Sequence, residues 1–256
     1  MSSEKKPANI WDSFNAKAQD QVLRTVKSRY FPEVWYALEN WFQTVKVREV
    51  LEVGYGIGLI AEALAKSGWA VTVTEAMPAA LDELKERFAK TSLTGTFVAS
   101  DVHRLPFADH SQEAVVAINT LEFAHDPRAV LREIARVLKP SGRAAIVVLN
   151  RYGPWGLPTV SQQLPFPVLR PAARLLTKRE FSSLLTTSGL PAAKILERAA
   201  YLPFPMPGGV RVKLPLPGAF IALIKNNMGT GRRRSKAEKA LKRSESRAKQ
   251  KPRPTP

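Results

Sequence analysis

Val50-Leu51-Glu52-Val53-Gly54-Tyr55-Gly56-Ile57-Gly58 is the stretch whose reading decides the fold. A short apolar and acidic run enters three alternating glycines, and a helical pattern of Leu59, Ile60, Ala63 and Leu64 begins at once. The reading is strand, tight turn, helix. Glycine suits such a turn because a side chain would hold a ligand away from the backbone, and because the turn can require positive φ. The loop backbone is therefore the expected binding surface.

Spacing separates the two cofactor classes that use this kind of turn. A dinucleotide fingerprint places Gly at the first, third and sixth positions, and counting from Gly54 puts Leu59 at the sixth. Downstream, Trp69-Ala70-Val71-Thr72-Val73-Thr74-Glu75 reads as a second strand ending in an acid, placed to accept hydrogen bonds from ribose hydroxyls. Thr96 to Val102 reads as a third strand and its turn, continuing through His103-Arg104-Leu105-Pro106-Phe107-Ala108-Asp109. Ala114-Val115-Val116-Ala117-Ile118 is the all-apolar run of a central parallel strand, followed by Asn119-Thr120-Leu121-Glu122-Phe123-Ala124-His125-Asp126-Pro127. Asp126 and Pro127 form an N-cap and first turn. Leu138-Lys139-Pro140-Ser141-Gly142-Arg143 reads as a turn into a fifth strand, residues 144–150.

Glu-Val-Gly-Tyr-Gly-Ile-Gly resembles the first motif of the class I S-adenosylmethionine-dependent methyltransferases, acidic-x-Gly-x-Gly-x-Gly. Asp101 to Asp109 is similar to the family's Asp-x-x-x-Leu-Pro-Phe-x-Asp segment, and Asn119 to Pro127 to its Asn-x-Leu-Glu-His-x-x-Asp-Pro pattern. In the latter, Phe123 stands where the family has histidine, and His125 comes two residues later. Leu138 to Gly142 resembles the Leu-Lys-Pro-Gly-Gly turn, with Ser141 for the first glycine. The run from Leu176 to Leu190 resembles the family's last helix and opens on a Thr177 to Glu180 capping box. Near the start, Trp11-Asp12-Ser13-Phe14 resembles the opening of many small-molecule members, with Gln19-Asp20 where a Tyr-Asp pair is usual.

The order of elements implies an α/β, doubly wound, mostly parallel sheet with ligand bound at the carboxyl ends of its strands. The resemblance implies seven strands, the last antiparallel, in a Rossmann-like methyltransferase fold. Residues 1–45 are expected as an N-terminal helical cap and 46–228 as the S-adenosylmethionine-binding domain. Within the latter, 151–176 is a Pro-rich substrate-side segment. Residues 229–256 are expected as a disordered basic tail. In the cap, Phe31, Val34, Trp35, Leu38, Trp41 and Phe42 recur at helical spacing, and that face either packs onto the domain or roofs the cofactor. Ala193 to Tyr201 and Ala219 to Lys225 are the expected sixth and seventh strands.

Composition narrows the function classes. The chain has no cysteine, which excludes disulfides, thiolate metal sites and cysteine nucleophiles, and three histidines argue against a structural zinc site. No apolar run approaches the ~20 residues that span a bilayer, and Met-Ser-Ser-Glu-Lys-Lys-Pro lacks a signal core, so a cytoplasmic enzyme is expected. The net charge is +17, and residues 231–256 carry eleven Lys or Arg against two Glu, about half the excess. With Leu241 as its one large apolar residue, that tail cannot build a core. It reads either as a solubilising extension or as an anchor for an anionic partner, RNA or a membrane surface.

The resemblance implies methyl transfer from S-adenosylmethionine to a small, apolar or aromatic acceptor, the family's broad small-molecule group including quinone-biosynthesis enzymes. RNA or protein methylation anchored by the tail, and a non-catalytic cofactor-binding module, stand as alternatives. The implied cofactor residues are Glu52, Gly54, Gly56 and Gly58 at the methionine end, Glu75 at the ribose, Asp101 and Val102 at the adenine, and Asn119 through its backbone. Glu122, His125 and His103 are the candidate bases should an oxygen acceptor need one.

Overall fold

The structure is a computed structural model that describes residues 31–43, 48–55, 58–153, 174–190, 194–201 and 213–226. Gly56, the residues ahead of Phe31, most of the Pro-rich segment and the basic tail lie outside the described residues.

The elements run α1 (Phe31–Gln43), β1 (Glu49–Val53), α2 (Leu59–Lys66), β2 (Ala70–Glu75), α3 (Pro78–Lys90), β3 (Thr96–Ala99), β4 (Gln112–Ile118), α4 (Pro127–Val137), β5 (Leu138–Leu149), α5 (Lys178–Thr187), β6 (Lys194–Tyr201) and β7 (Lys213–Lys225). They form a seven-stranded sheet of order β3-β2-β1-β4-β5-β7-β6. β1 to β5 run parallel to one another, and β7 runs antiparallel to both β5 and β6. The doubly wound α/β expectation and its antiparallel last strand are borne out.

Alternation along the central strands assigns each helix to a face. Leu51, Val53, Val115, Ala117, Ile146 and Val148 belong to one core with Val130, Leu131 and Ile134 of α4 and Phe181 and Leu185 of α5. Their strand neighbours Val50, Val116, Ala145 and Val147 belong to the other, with α1, α2 and α3. Both faces are covered, as an apolar parallel sheet requires. In α1, Val34, Leu38 and Phe42 are buried in this second core, and Phe42 meets Trp69 edge-on at 4.9 Å. Trp69 precedes β2, so the Phe42 end of the helix lies by the amino ends of the strands. There it packs rather than roofing the opposite edge.

Local signals behave as their chemistry dictates. Asp126 caps α4 by accepting from the backbone of Arg128 and Ala129, Pro78 and Pro127 occupy first turns, and Thr177 and Glu180 form a complete capping box. Two strands differ from expectation. β5 begins directly at the end of α4, but pairing with β4 jumps from Leu138 to Arg143, so Lys139 to Gly142 bulge outward where a turn was expected. β7 begins at Lys213, well before Ala219, because its first part pairs with Ala200 and Tyr201 of β6. Pro215 and Pro217 hid that strand in the sequence, and the register shifts on β6 at Ala199 accommodate them.

Two features of β1 have energetic consequences. Gly54 has φ 71°, and a Cβ there would stand 2.8 Å from Cγ2 of Thr120. Glu52 is buried within the sheet, and burial pushes its carboxyl up to about 8 against the opposing pull of the Ala61 N–H. The folded chain thus keeps a proton that the unfolded chain releases above pH 4.5. This contribution to stability is complete below that pH and is lost as the pH rises through about 8. Urea midpoints should fall between about pH 5 and about pH 8, with Glu52→Gln flattening the fall; a slope untouched by the substitution would exclude Glu52 as its source. Gly54→Ala should cost about 1–2 kcal/mol for the left-handed backbone plus the clash, part of which Thr120→Ser recovers in the double variant by removing the methyl.

Candidate active site

Four neighbouring parallel strands, β4, β1, β2 and β3, end at one edge of the sheet, and every described candidate residue except Glu52 lies in the loops or strand ends there. The winding reverses between β1 and β4, the point where open α/β sheets leave a crevice.

The first loop is drawn tight by its own backbone. Gly54 N–H donates to Thr74 O at 3.0 Å, and Gly58 N–H to Tyr55 O at 2.8 Å. Gly58 has φ 71° and caps α2; a Cβ on it would meet Leu84 at 2.7 Å and the Tyr55 ring at 2.9 Å. Glu52, on β1 behind the loop, accepts from the Ala61 N–H in the first turn of α2. Its Oε2 has no hydrogen-bond partner among the described residues. The strand before the loop is thereby tied to the helix after it. Thr120 closes the loop from the other side, its hydroxyl donating to Val53 O at 2.8 Å. Sequence reasoning missed Thr120, for no spacing rule connects it with residues 53 and 54.

Glu75 ends β2 with Oε1 accepting from Ala76 N–H at 2.8 Å and Met77 N–H at 3.2 Å. The Tyr55 N–H reaches the same carboxylate. Burial raises its pKa, and these three backbone donors oppose the rise. A carboxylate offers about four acceptor positions, so capacity remains for a hydroxyl donor.

Asp101 follows β3 with its side chain 64% exposed. Oδ1 accepts both from the His103 N–H at 2.8 Å and from His103 Nδ1 at 2.6 Å. The backbone N–H first, and the imidazole second, hold this carboxyl below its usual range. The next residue, Val102, is half-buried against the core. On the far side of the His103 ring, Nε2 accepts from the Asp126 N–H at 3.3 Å. The ring of His125 lies over that of His103, centroids 3.7 Å apart.

Beyond β4, Asn119 adopts φ 53° and donates its N–H to Val147 O at 2.9 Å. Glu122 is fully buried and accepts from the Leu149 N–H at 2.6 Å, while its backbone oxygen accepts from Arg174 N–H at 2.7 Å. Burial pushes its carboxyl up to about 7, and Oε2 has no partner among the described residues. The structure therefore brings the three candidate bases to one edge in different states: His103 engaged at both nitrogens, His125 exposed, Glu122 buried.

The loops suit an adenosyl cofactor in kind: a turn with glycine at Gly54 and Gly58 over a helix N-terminus, a strand-end carboxylate beside it and a second, exposed carboxylate next along. Among the described residues no cluster of His, Asp and Glu could hold a metal ion, and no helix is long and apolar enough to cross a membrane. A cavity of about 290 Å³ lined by Trp35, Phe42, Arg48 and Trp69 opens at the amino ends of β1 and β2, away from this edge.

Comparison with known proteins agrees with this arrangement. Residues 51–146 match the family described as "Methyltransferase domain". A curated ubiquinone biosynthesis O-methyltransferase of Coxiella burnetii is 30% identical over 108 residues, 42% of this chain and 46% of that protein. The chain thus spans about half the length of the curated relatives it matches. Among solved structures, a methyltransferase of Thermotoga maritima dependent on S-adenosylmethionine superposes with TM-score 0.65 at 16% identity, over 85% of this chain and 98% of that one. Another from Aquifex aeolicus gives TM-score 0.56 at 16% identity, over 86% and 98%. Matched region, strand order and carboxyl-edge loops agree: residues 51–146 match a methyltransferase domain, and the fold is that of the S-adenosylmethionine-dependent methyltransferases on which the chain superposes.

Proposed function

We propose that the chain transfers a methyl group from S-adenosylmethionine to a small, apolar or aromatic acceptor by direct in-line displacement. The observation that carries this reading is the convergence of Gly54, Glu75 and Asp101 at the carboxyl ends of three adjacent parallel strands inside the matched domain. The acceptor class is supported by the curated relative, whose name places it in ubiquinone biosynthesis.

When bound, the cofactor supplies a methyl carbon already activated by a sulfonium, and displacement leaves S-adenosylhomocysteine. The protein's task is then mainly to align acceptor and methyl carbon, and orientation supplies much of the acceleration. Gly54 and Gly58 would present backbone to the methionine end of the cofactor, with Gly56, which lies outside the described residues, expected between them. Glu52 acts from behind the loop by fixing it to the start of α2. Asn119 adds backbone from β4. Glu75 accepts from the ribose hydroxyls, while Asp101 and the Val102 backbone take the adenine edge.

An oxygen acceptor must lose a proton, and Glu122 is the base this geometry favours. Its carboxyl is pushed up to about 7, and one of its oxygens has no hydrogen-bond partner among the described residues. His103, by contrast, has Nε2 already accepting a backbone hydrogen bond. We assign acceptor choice to the Pro-rich segment 151–176, most of which lies outside the described residues.

Calorimetric titration of the full chain tests the donor: micromolar binding of S-adenosylmethionine and S-adenosylhomocysteine is expected, with none of NAD. Glu75→Ala should weaken both by about 1.5–3 kcal/mol, and no loss would remove Glu75 from the ribose. With a phenolic acceptor, activity should rise as the pH passes about 7, where Glu122 ionises. Glu122→Gln should abolish that limb and lower kcat by about 10²- to 10⁴-fold while cofactor affinity holds; an unchanged profile would eliminate Glu122 as the base.

A further inference from the structure

Asp101 stands in an exposed loop, yet the carboxylate that would recognise a purine amino group has to hold one orientation. An exposed aspartate is free to rotate about two side-chain torsions unless something fixes it. Here Oδ1 receives two hydrogen bonds, at 2.8 and 2.6 Å, both from His103. No hydrogen-bond partner is seen at Oδ2 among the described residues, and the side chain is mostly exposed, so one oxygen is fixed and the other is offered outward.

His103 is itself held. Its side chain is only 15% exposed, its ring lies under that of His125, and Nε2 accepts the N–H of Asp126, which places the imidazole proton on Nδ1, facing Asp101. Asp126 is the N-cap of α4, whose Val130, Leu131 and Ile134 are fully buried in the core beneath. The order of support runs from the core through α4, the Asp126 backbone and the imidazole to the carboxylate. The arrangement is that of a metal-site or triad histidine, in which the bond at one ring nitrogen sets what the other can do.

We infer that His103 is a positioning residue for base recognition: it locks the Asp101 carboxylate so that its free oxygen accepts from the 6-amino group of the cofactor's adenine. The inference rests on the cofactor reading above and adds to it a determinant of purine selectivity two residues away. Hypoxanthine carries an oxygen where adenine carries the amino group, so a fixed carboxylate repels it and a loose one turns aside. Sites built around a specific hydrogen bond reject analogues lacking it more strongly than sites built on shape.

The test is calorimetric titration of the full chain with S-adenosylhomocysteine and S-inosylhomocysteine, on wild type and on His103→Ala, His103→Asn and His103→Gln. Wild type should prefer the adenine ligand by about tenfold or more. His103→Ala should weaken S-adenosylhomocysteine and shrink the preference to about threefold or less. His103→Asn keeps a donor near the Nδ1 position and should restore the preference. His103→Gln, whose amide reaches towards the Nε2 position, should not. A preference that survives in His103→Ala, or affinity lost equally for both ligands, overturns the positioning role while the cofactor reading stands. Wild type that binds the adenine ligand without preference removes Asp101 from the base and the inference with it. Wild type that binds neither ligand overturns the cofactor reading itself.

Discussion

Everything at the carboxyl edge depends on a close approach between the end of β1 and the loop after β4. The left-handed backbone of Gly54 leaves space that the Thr120 methyl occupies, and the Thr120 hydroxyl bonds to Val53 O. Two loops from strands on either side of the winding reversal are thereby joined through one small residue and one β-branched one. From that junction, α2 leaves at Gly58 with Glu52 bound to its first turn, and the β4 loop leaves toward Glu122. A larger residue at either position would separate the loops, and the elements hung from them would follow.

Buried acids accompany this junction on both sides. Glu52 and Glu122 are each removed from water, each accepts a backbone N–H, and each has one oxygen without a partner among the described residues. An unsatisfied buried oxygen costs free energy, and core positions filled for stability alone would be apolar. Their placement in β1 and in the loop after β4, with titration displaced to about 8 and about 7, puts that cost beside the loops of the carboxyl edge.

The sequence was most legible where a single segment carries its own explanation. The strand and the helix on either side of the glycine stretch, the acid ending β2, the Asp126 cap and the Thr177 capping box are all local chemistry, and each stands where its pattern indicated. What could not be read is contact at a distance. Thr120 meets Val53 across 67 residues, and Glu122 meets Leu149 across 27. His103 was legible as a titratable group but not as one whose two nitrogens are committed, since its partner Asp126 is remote in sequence. The first half of β7 was hidden because prolines argue against a strand unless the neighbour's register yields.

The sheet order has a consequence for how the chain is made. β7 lies between β5 and β6, pairing Arg143 through Leu149 with Lys225 through Ala219. During synthesis, β5 therefore emerges and waits with one edge open until residues well over sixty positions later leave the ribosome. Such distant pairing is slow, and an open apolar edge is a template for other chains. A chain broken off before residue 219 would contain nearly every residue of the site and yet present the side of β5 to its neighbours.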